Sequence, residues 1–71
     1  MDRDCLAFTI HVIHELARAW HMLPSGVFRI LKRTGCLDEY IIPCHDVLHT
    51  LGARTLVDDM SAYVRRRGVR V

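Results

Sequence analysis

In the stretch "CHDVLHT", Cys44 to Thr50, two histidines flank an aspartate: His45, Asp46 and His49. Histidines four apart on a helix share a face, so both imidazoles could reach one metal ion. With Glu in place of Asp46 the pattern would be that of the zinc-hydrolase helix. Such a site also needs a third protein ligand and a carboxylate general base. Asp46 is one methylene shorter than Glu, and no histidine follows His49. The reading is therefore structural, with no cofactor and no catalytic residue, and with metal binding through His45 and His49 as the weaker alternative. His49 is expected to make a capping or buried hydrogen bond near the Thr50 to Gly52 turn, and His45 to be exposed or to face a partner.

Other reactive side chains are scattered. His11 and His14 are three apart, and His21 lies two turns beyond His14, so a site with Cys44 or His45 can be drawn only by assuming a packing. Cys44 adjoins His45, but neighbours on a helix point about 100° apart, whereas productive thiol–imidazole pairs are assembled in space. Cys5, near a helix start, is a candidate for a lowered pKa. The three cysteines are an odd number at wide spacings without a C-x-x-C pair, which suits free thiols in a reducing cytoplasm.

These groups must be carried by few elements, because the chain has 71 residues, enough for one modest core. Pro24-Ser25-Gly26, Gly35, Gly52 and Gly68 divide it into segments of helical length or shorter. From about Asp4 to Met22, Leu6, Ile10, Ile13, Leu16, Ala17 and Trp20 recur at helical steps, predicting a helix that buries that face. Phe8, Val12 and Ala19 form a second apolar edge, a candidate partner surface. "SGVFRILKRTG" predicts a short basic helix capped by Ser25, with Val27, Ile30 and Leu31 inward, Phe28 beside them, and Gly35 at its end. In "LDEYIIPCHDVLHTLG", Asp38 can cap a helix carrying Tyr40, Ile41, Val47 and Leu48. Pro43 should break it near Ile42, because proline lacks the amide proton and crowds the preceding turn. "ARTLVDDMSAYVRRRG" places Leu56, Val57, Met60, Tyr63 and Val64 on one stripe. No segment alternates as a half-buried strand does. The expectation is an all-α bundle of four to five short helices.

The net charge is +2, yet residues 65–71, "RRRGVRV", hold four arginines, leaving −2 for the rest. Residues 65–71 thus form a basic tail, free to be flexible, that could meet nucleic acid, an acidic partner or only water. The start "MDRDC" lacks a basic region followed by an apolar run, so no secretory signal is expected, and no uncharged stretch approaches the ~18 residues of a membrane span. Segments two and three could be drawn as a helix-turn-helix, but the helix that would enter the groove begins "LDEYIIP", acidic and apolar.

The succession "VFRILKRTG", "LDEYIIPCHDVLHTLG" and "LVDDMSAYVRRRG" resembles a small bacterial family catalogued as domain of unknown function three-seven-nine-one. The resemblance covers most of the chain and is most specific in "DVLHTLG" followed by "LVDDM". Helix one matches in pattern more than in residues. The family pattern matches Asp46, Leu48, His49, Thr50 and Gly52, whereas the position of His45 more usually carries an aromatic residue such as Tyr. The resemblance implies a fold but no enzymatic activity. Some members resemble the small partner in two-gene arrangements with a protein similar to ADP-ribosyltransferases, which implies an antitoxin-like or accessory role.

Together these readings predict a non-enzymatic, cytoplasmic helical module that binds a protein, with an ADP-ribosyltransferase-like toxin as the implied partner. Contacts are expected at Phe8, Val12 and Ala19 or at Arg65, Arg66 and Arg67. Self-association and a small DNA-binding regulator remain alternatives; a membrane role is not expected.

Overall fold

In the computed structural model, which describes residues 2–71, the chain forms helix α1 (Arg3–Trp20), α2 (Pro24–Thr34), a π-helical turn (Leu37–Ile41), α3 (His45–Leu48) and α4 (Ala53–Arg66). There is no strand among the described residues. The architecture is the all-α bundle that the segment pattern predicts.

Each boundary has a local cause. Asp2 caps α1 by accepting the Cys5 amide at 2.8 Å, and Asp4 in the first turn favours the positive end of the helix dipole. The helix stops at His21, whose backbone is left-handed at φ 54°. Only His21, Met22 and Leu23 separate α1 from α2, which holds the two helices side by side. Helix α2 begins one residue before the expected Ser25 cap: Pro24 sits in its first turn, where a missing amide proton costs nothing, and Leu23 precedes it without a side-chain cap. Gly35, at φ 82°, ends α2 as anticipated.

Pro43 interrupts the third segment, with an unanticipated consequence just upstream. The Ile42 amide reaches back five residues to the Leu37 carbonyl at 3.0 Å, making a wide π turn before the proline. That turn keeps Leu37 and Ile41 in the core and leaves Tyr40 half-buried at the surface. Asp38 does not cap it; its carboxylate lies 3.2 Å from Lys32 Nζ. Helix α3 is then a single turn.

Helix α1 lies against both α2 and α4. The core takes Val12 and Leu16 from α1, Val27 and Leu31 from α2, Cys36 and Ile41 from the middle segment, and Leu56, Met60 and Val64 from α4. The α4 stripe matches expectation. The α1 stripe is rotated: Cys5, Thr9, Val12, Leu16 and Ala17 are buried, while Leu6 and Ile10 stand 50% and 46% exposed. The cause is that α1 carries two eligible apolar stripes, and Thr9 disarms its own polarity by donating its hydroxyl to the Cys5 carbonyl at 2.8 Å. A threonine and a cysteine therefore enter the interior ahead of a leucine and an isoleucine. Trp20 joins α1 to α4 by donating its indole N–H to Ser61 Oγ at 2.8 Å.

Candidate functional site

The two histidines of the pair sit in different settings. His45 opens the one-turn α3; its Nδ1 lies 3.2 Å from the Ile42 carbonyl and its Nε2 3.1 Å from Asp46 Oδ1. Both ring nitrogens therefore face oxygen acceptors within the segment. His49 is exposed, and its backbone amide closes α3 by donating to the His45 carbonyl at 3.0 Å. Among the described residues no group of three or more His, Cys, Asp or Glu side chains is placed to hold a metal ion. The two histidine expectations are thus exchanged: His45 is the enclosed one, and the side chain of His49 meets solvent. His11, His14 and His21 are exposed on or just beyond α1.

The remaining signature residues build a corner. Leu48 is buried, Thr50 donates its hydroxyl to the Val47 carbonyl at 2.7 Å, and Gly52 starts α4. Val47, expected inside, is 67% exposed, because a single turn of helix can turn only one of its two apolar residues inward and Leu48 takes that place.

The thiols are sheltered. Cys5 and Cys36 are buried and Cys44 is half-buried. Cys36 Sγ lies 3.5 Å from Met60 Sδ, and burial pushes its thiol up to about 12, partly offset by the positive charge of Arg67. Cys36 is a packing residue and does not supply a thiolate near neutral pH.

Two surface clusters combine aromatic rings with charge. The first joins the π turn to the end of α4. Tyr40 and Tyr63 stack with centroids 5.5 Å apart and planes 6° from parallel. Arg67 lies over the Tyr63 ring at 5.0 Å, and its Nη2 donates to Tyr63 Oη at 3.1 Å. Tyr63 donates to Glu39 Oε2 at 3.2 Å, and Tyr40 donates to Asp59 Oδ2 at 3.1 Å. Burial raises the pKa of both phenols above the ordinary tyrosine value; the hydrogen bond to Asp59 adds to the rise at Tyr40, while Arg67 opposes it at Tyr63. Every polar end in this cluster has a partner within it.

The second cluster is the outer face of α2. Ser25, Phe28, Arg29, Lys32 and Arg33 line an open depression whose surface is mainly apolar. Phe28 is 46% exposed. Among the described residues, no carboxylate lies within ion-pair distance of Arg29 or Arg33.

The expected contact residues scatter. Val12 is 1% exposed and belongs to the core, because the α1 stripe is rotated, so it is not a contact residue. Phe8 is half-buried against the core. Ala19 is exposed and lines a shallow groove between α1 and the start of α4, with Arg18, Arg54 and Val57. The basic tail does not stand free: Arg65 and Arg66 are helical, and Arg67 is held by Tyr63. Arg65 Nη2 donates to the Val71 backbone oxygen at 2.8 Å, folding the chain back so that Val69 and Val71 pack on the core. Leu6, Ile10, Leu23, Phe28 and Val47, which the stripes placed inside or left unassigned, are among the exposed large apolar residues of this surface. The signal for the α2 face was the basic character of its segment, Arg29, Lys32 and Arg33 without any acidic residue.

The family model described as "Protein of unknown function (DUF3791)" matches residues 7–67, and the chain belongs to that family. No curated protein and no solved structure matches it. Among the described residues no helix is long and apolar enough to cross a membrane.

Proposed function

We propose that this member of the family is a non-enzymatic interaction module that works by covering part of another protein. The observation that carries this reading is the pair Leu6 and Ile10. They lie one turn apart on the outer side of α1, half exposed, although the same helix sends a threonine and a cysteine inside. Fully burying an exposed apolar side chain of this size contributes about 1.5–3 kcal/mol, and about half of that remains to be gained at each residue by a partner that covers both. An antitoxin-like role beside an ADP-ribosyltransferase-like toxin is the specific form we propose, and it rests on the family resemblance. Binding to DNA has less support, since Arg65 and Arg67 already hold intramolecular partners.

The test is co-expression with the product of the adjacent gene, followed by size-exclusion chromatography. A stable complex that Leu6→Asp with Ile10→Asp weakens at least tenfold supports the reading. A chain that elutes free of the adjacent product, or a complex indifferent to both substitutions, removes it.

A further inference from the structure

We infer that the outer face of α2 docks an acidic amphipathic segment of a partner protein, seating an apolar side chain on Phe28 and carboxylates on Arg29 and Arg33. The inference rests on the interaction-module reading and specifies the chemistry of the partner.

Phe28 follows a fully buried residue, Val27, on a helix whose core side is complete with Leu31. Its exposed ring is therefore surplus to the packing of the bundle. The depression beside it is mainly apolar and is lined by Phe28 together with Arg29, Lys32 and Arg33, which suits an aliphatic or aromatic side chain flanked by negative charge. Helix α2 contains three cations and no acid. Arg29 and Arg33 stand one turn apart, a spacing at which like charges destabilise a helix. Lys32 and Arg33 in the last turn favour the helix dipole, but Arg29 lies farther back and gains less from it. A carboxylate placed between Arg29 and Arg33 relieves their repulsion, and nothing within the described residues does so.

Lys32 shows how such a charge sits, since Asp38 approaches it at 3.2 Å from the C-terminal side. The same aspartate places a carboxylate at the end of the patch. A continuous phosphate backbone running along α2 would meet that charge. A peptide can set its carboxylates over the arginines and leave the Asp38 end free. A protein segment thus fits the face better than a nucleic acid does.

The full chain is titrated, by fluorescence anisotropy, against three labelled helical peptides of equal length. One carries leucines one turn apart flanked by glutamates, the second replaces the glutamates by lysines, and the third replaces the leucines by serines. A labelled oligo-dT strand forms the fourth arm. The acidic amphipathic peptide alone is expected to bind, with affinity falling as salt rises. Phe28→Ala and Arg29→Glu with Arg33→Glu should each weaken it at least tenfold, while circular dichroism confirms the helical fold of both variants. Failure of that peptide to bind, equal binding of the lysine or serine peptide, tighter binding of oligo-dT, or indifference to both sets of substitutions overturns the inference. A complex with the adjacent gene product that survives the α2 variants but not Leu6→Asp with Ile10→Asp would leave the broader reading intact while rejecting this one.

Discussion

Phe28 on α2 and Tyr63 on α4 are both aromatic residues with an arginine close by, yet they sit in opposite circumstances. Tyr63 is stacked on Tyr40, overlain by Arg67 and bonded to Glu39, so the cluster closes upon itself. Phe28 has an exposed face and two arginines without carboxylates among the described residues. The comparison separates charge that is conspicuous in the sequence from charge that is available in the fold. The run Arg65 to Arg67 is the denser one, but it is partly consumed internally. The looser set, Arg29 to Arg33, faces outward.

Tyr63→Ala attacks the closed cluster at its centre and should cause the largest fall in melting temperature of any substitution in either cluster. Phe28→Ala should stay within about 0.5 kcal/mol of the parent in urea denaturation, as surface substitutions do. If the two variants melt alike, the distinction between a closed and an open cluster collapses.

Gly35→Ala comes next. An L-residue in the left-handed region costs roughly 1–2 kcal/mol, and here a new Cβ would also stand 3.1 Å from Glu39 Oε2. Measured against Glu39→Ala alone, which already lacks the bonds to Tyr63 and Arg67, Gly35→Ala should recover only the contact part of its loss, because the backbone at φ 82° remains. Full recovery in the double variant would show that Gly35 is present to make room for Glu39 rather than to turn the chain.

Alkaline titration gives a smaller effect with a definite sign. Below pH 9 the Cys36 thiol is protonated in both folded and unfolded states and adds no pH dependence. Between 9.0 and about 12 the unfolded chain releases a proton that the folded chain keeps, so stability falls as pH rises. Tyr40 and Tyr63, both raised from 10.0, add to the fall at higher pH. Chemical denaturation across this range should show an onset near pH 9 that Cys36→Ala removes, leaving the later tyrosine component. An unchanged onset would mean that the thiol titrates as though exposed.

Asp38→Ala should do least, under about 1 kcal/mol, since the Lys32–Asp38 pair is exposed to solvent. It also sharpens the comparison by freeing a third cation on α2: binding of the acidic peptide should tighten while the melting temperature barely moves.

The elements were legible where one signal dominated. Gly35 and Pro43 acted through backbone chemistry that no neighbour can override, and α4 had a single apolar stripe with charges on its other side. Helix α1 offered two stripes, and the choice between them turned on Thr9 satisfying itself against Cys5, a local bond invisible to periodicity. The π turn was hidden because Pro43 announces an interruption without specifying how the upstream carbonyls find donors. The candidate site was the least legible part. His45 with His49 and the arginine tail drew attention by composition, whereas closure of the tail depends on Tyr63 and Val71 being brought to it by the fold. The α2 face was visible only as a short basic helix without acids, which acquires meaning once Phe28 is known to be half exposed.

The Trp20–Ser61 hydrogen bond spans 41 positions in sequence, and Trp20 is the one tryptophan of the chain. Helices α1 and α2, joined by a three-residue turn, can pair early, while α4 must close a long loop before it reaches α1. The indole therefore sits at the contact expected to form late. Its fluorescence gives the molecule an intrinsic clock for the docking of α4, which stopped-flow refolding can read without a label.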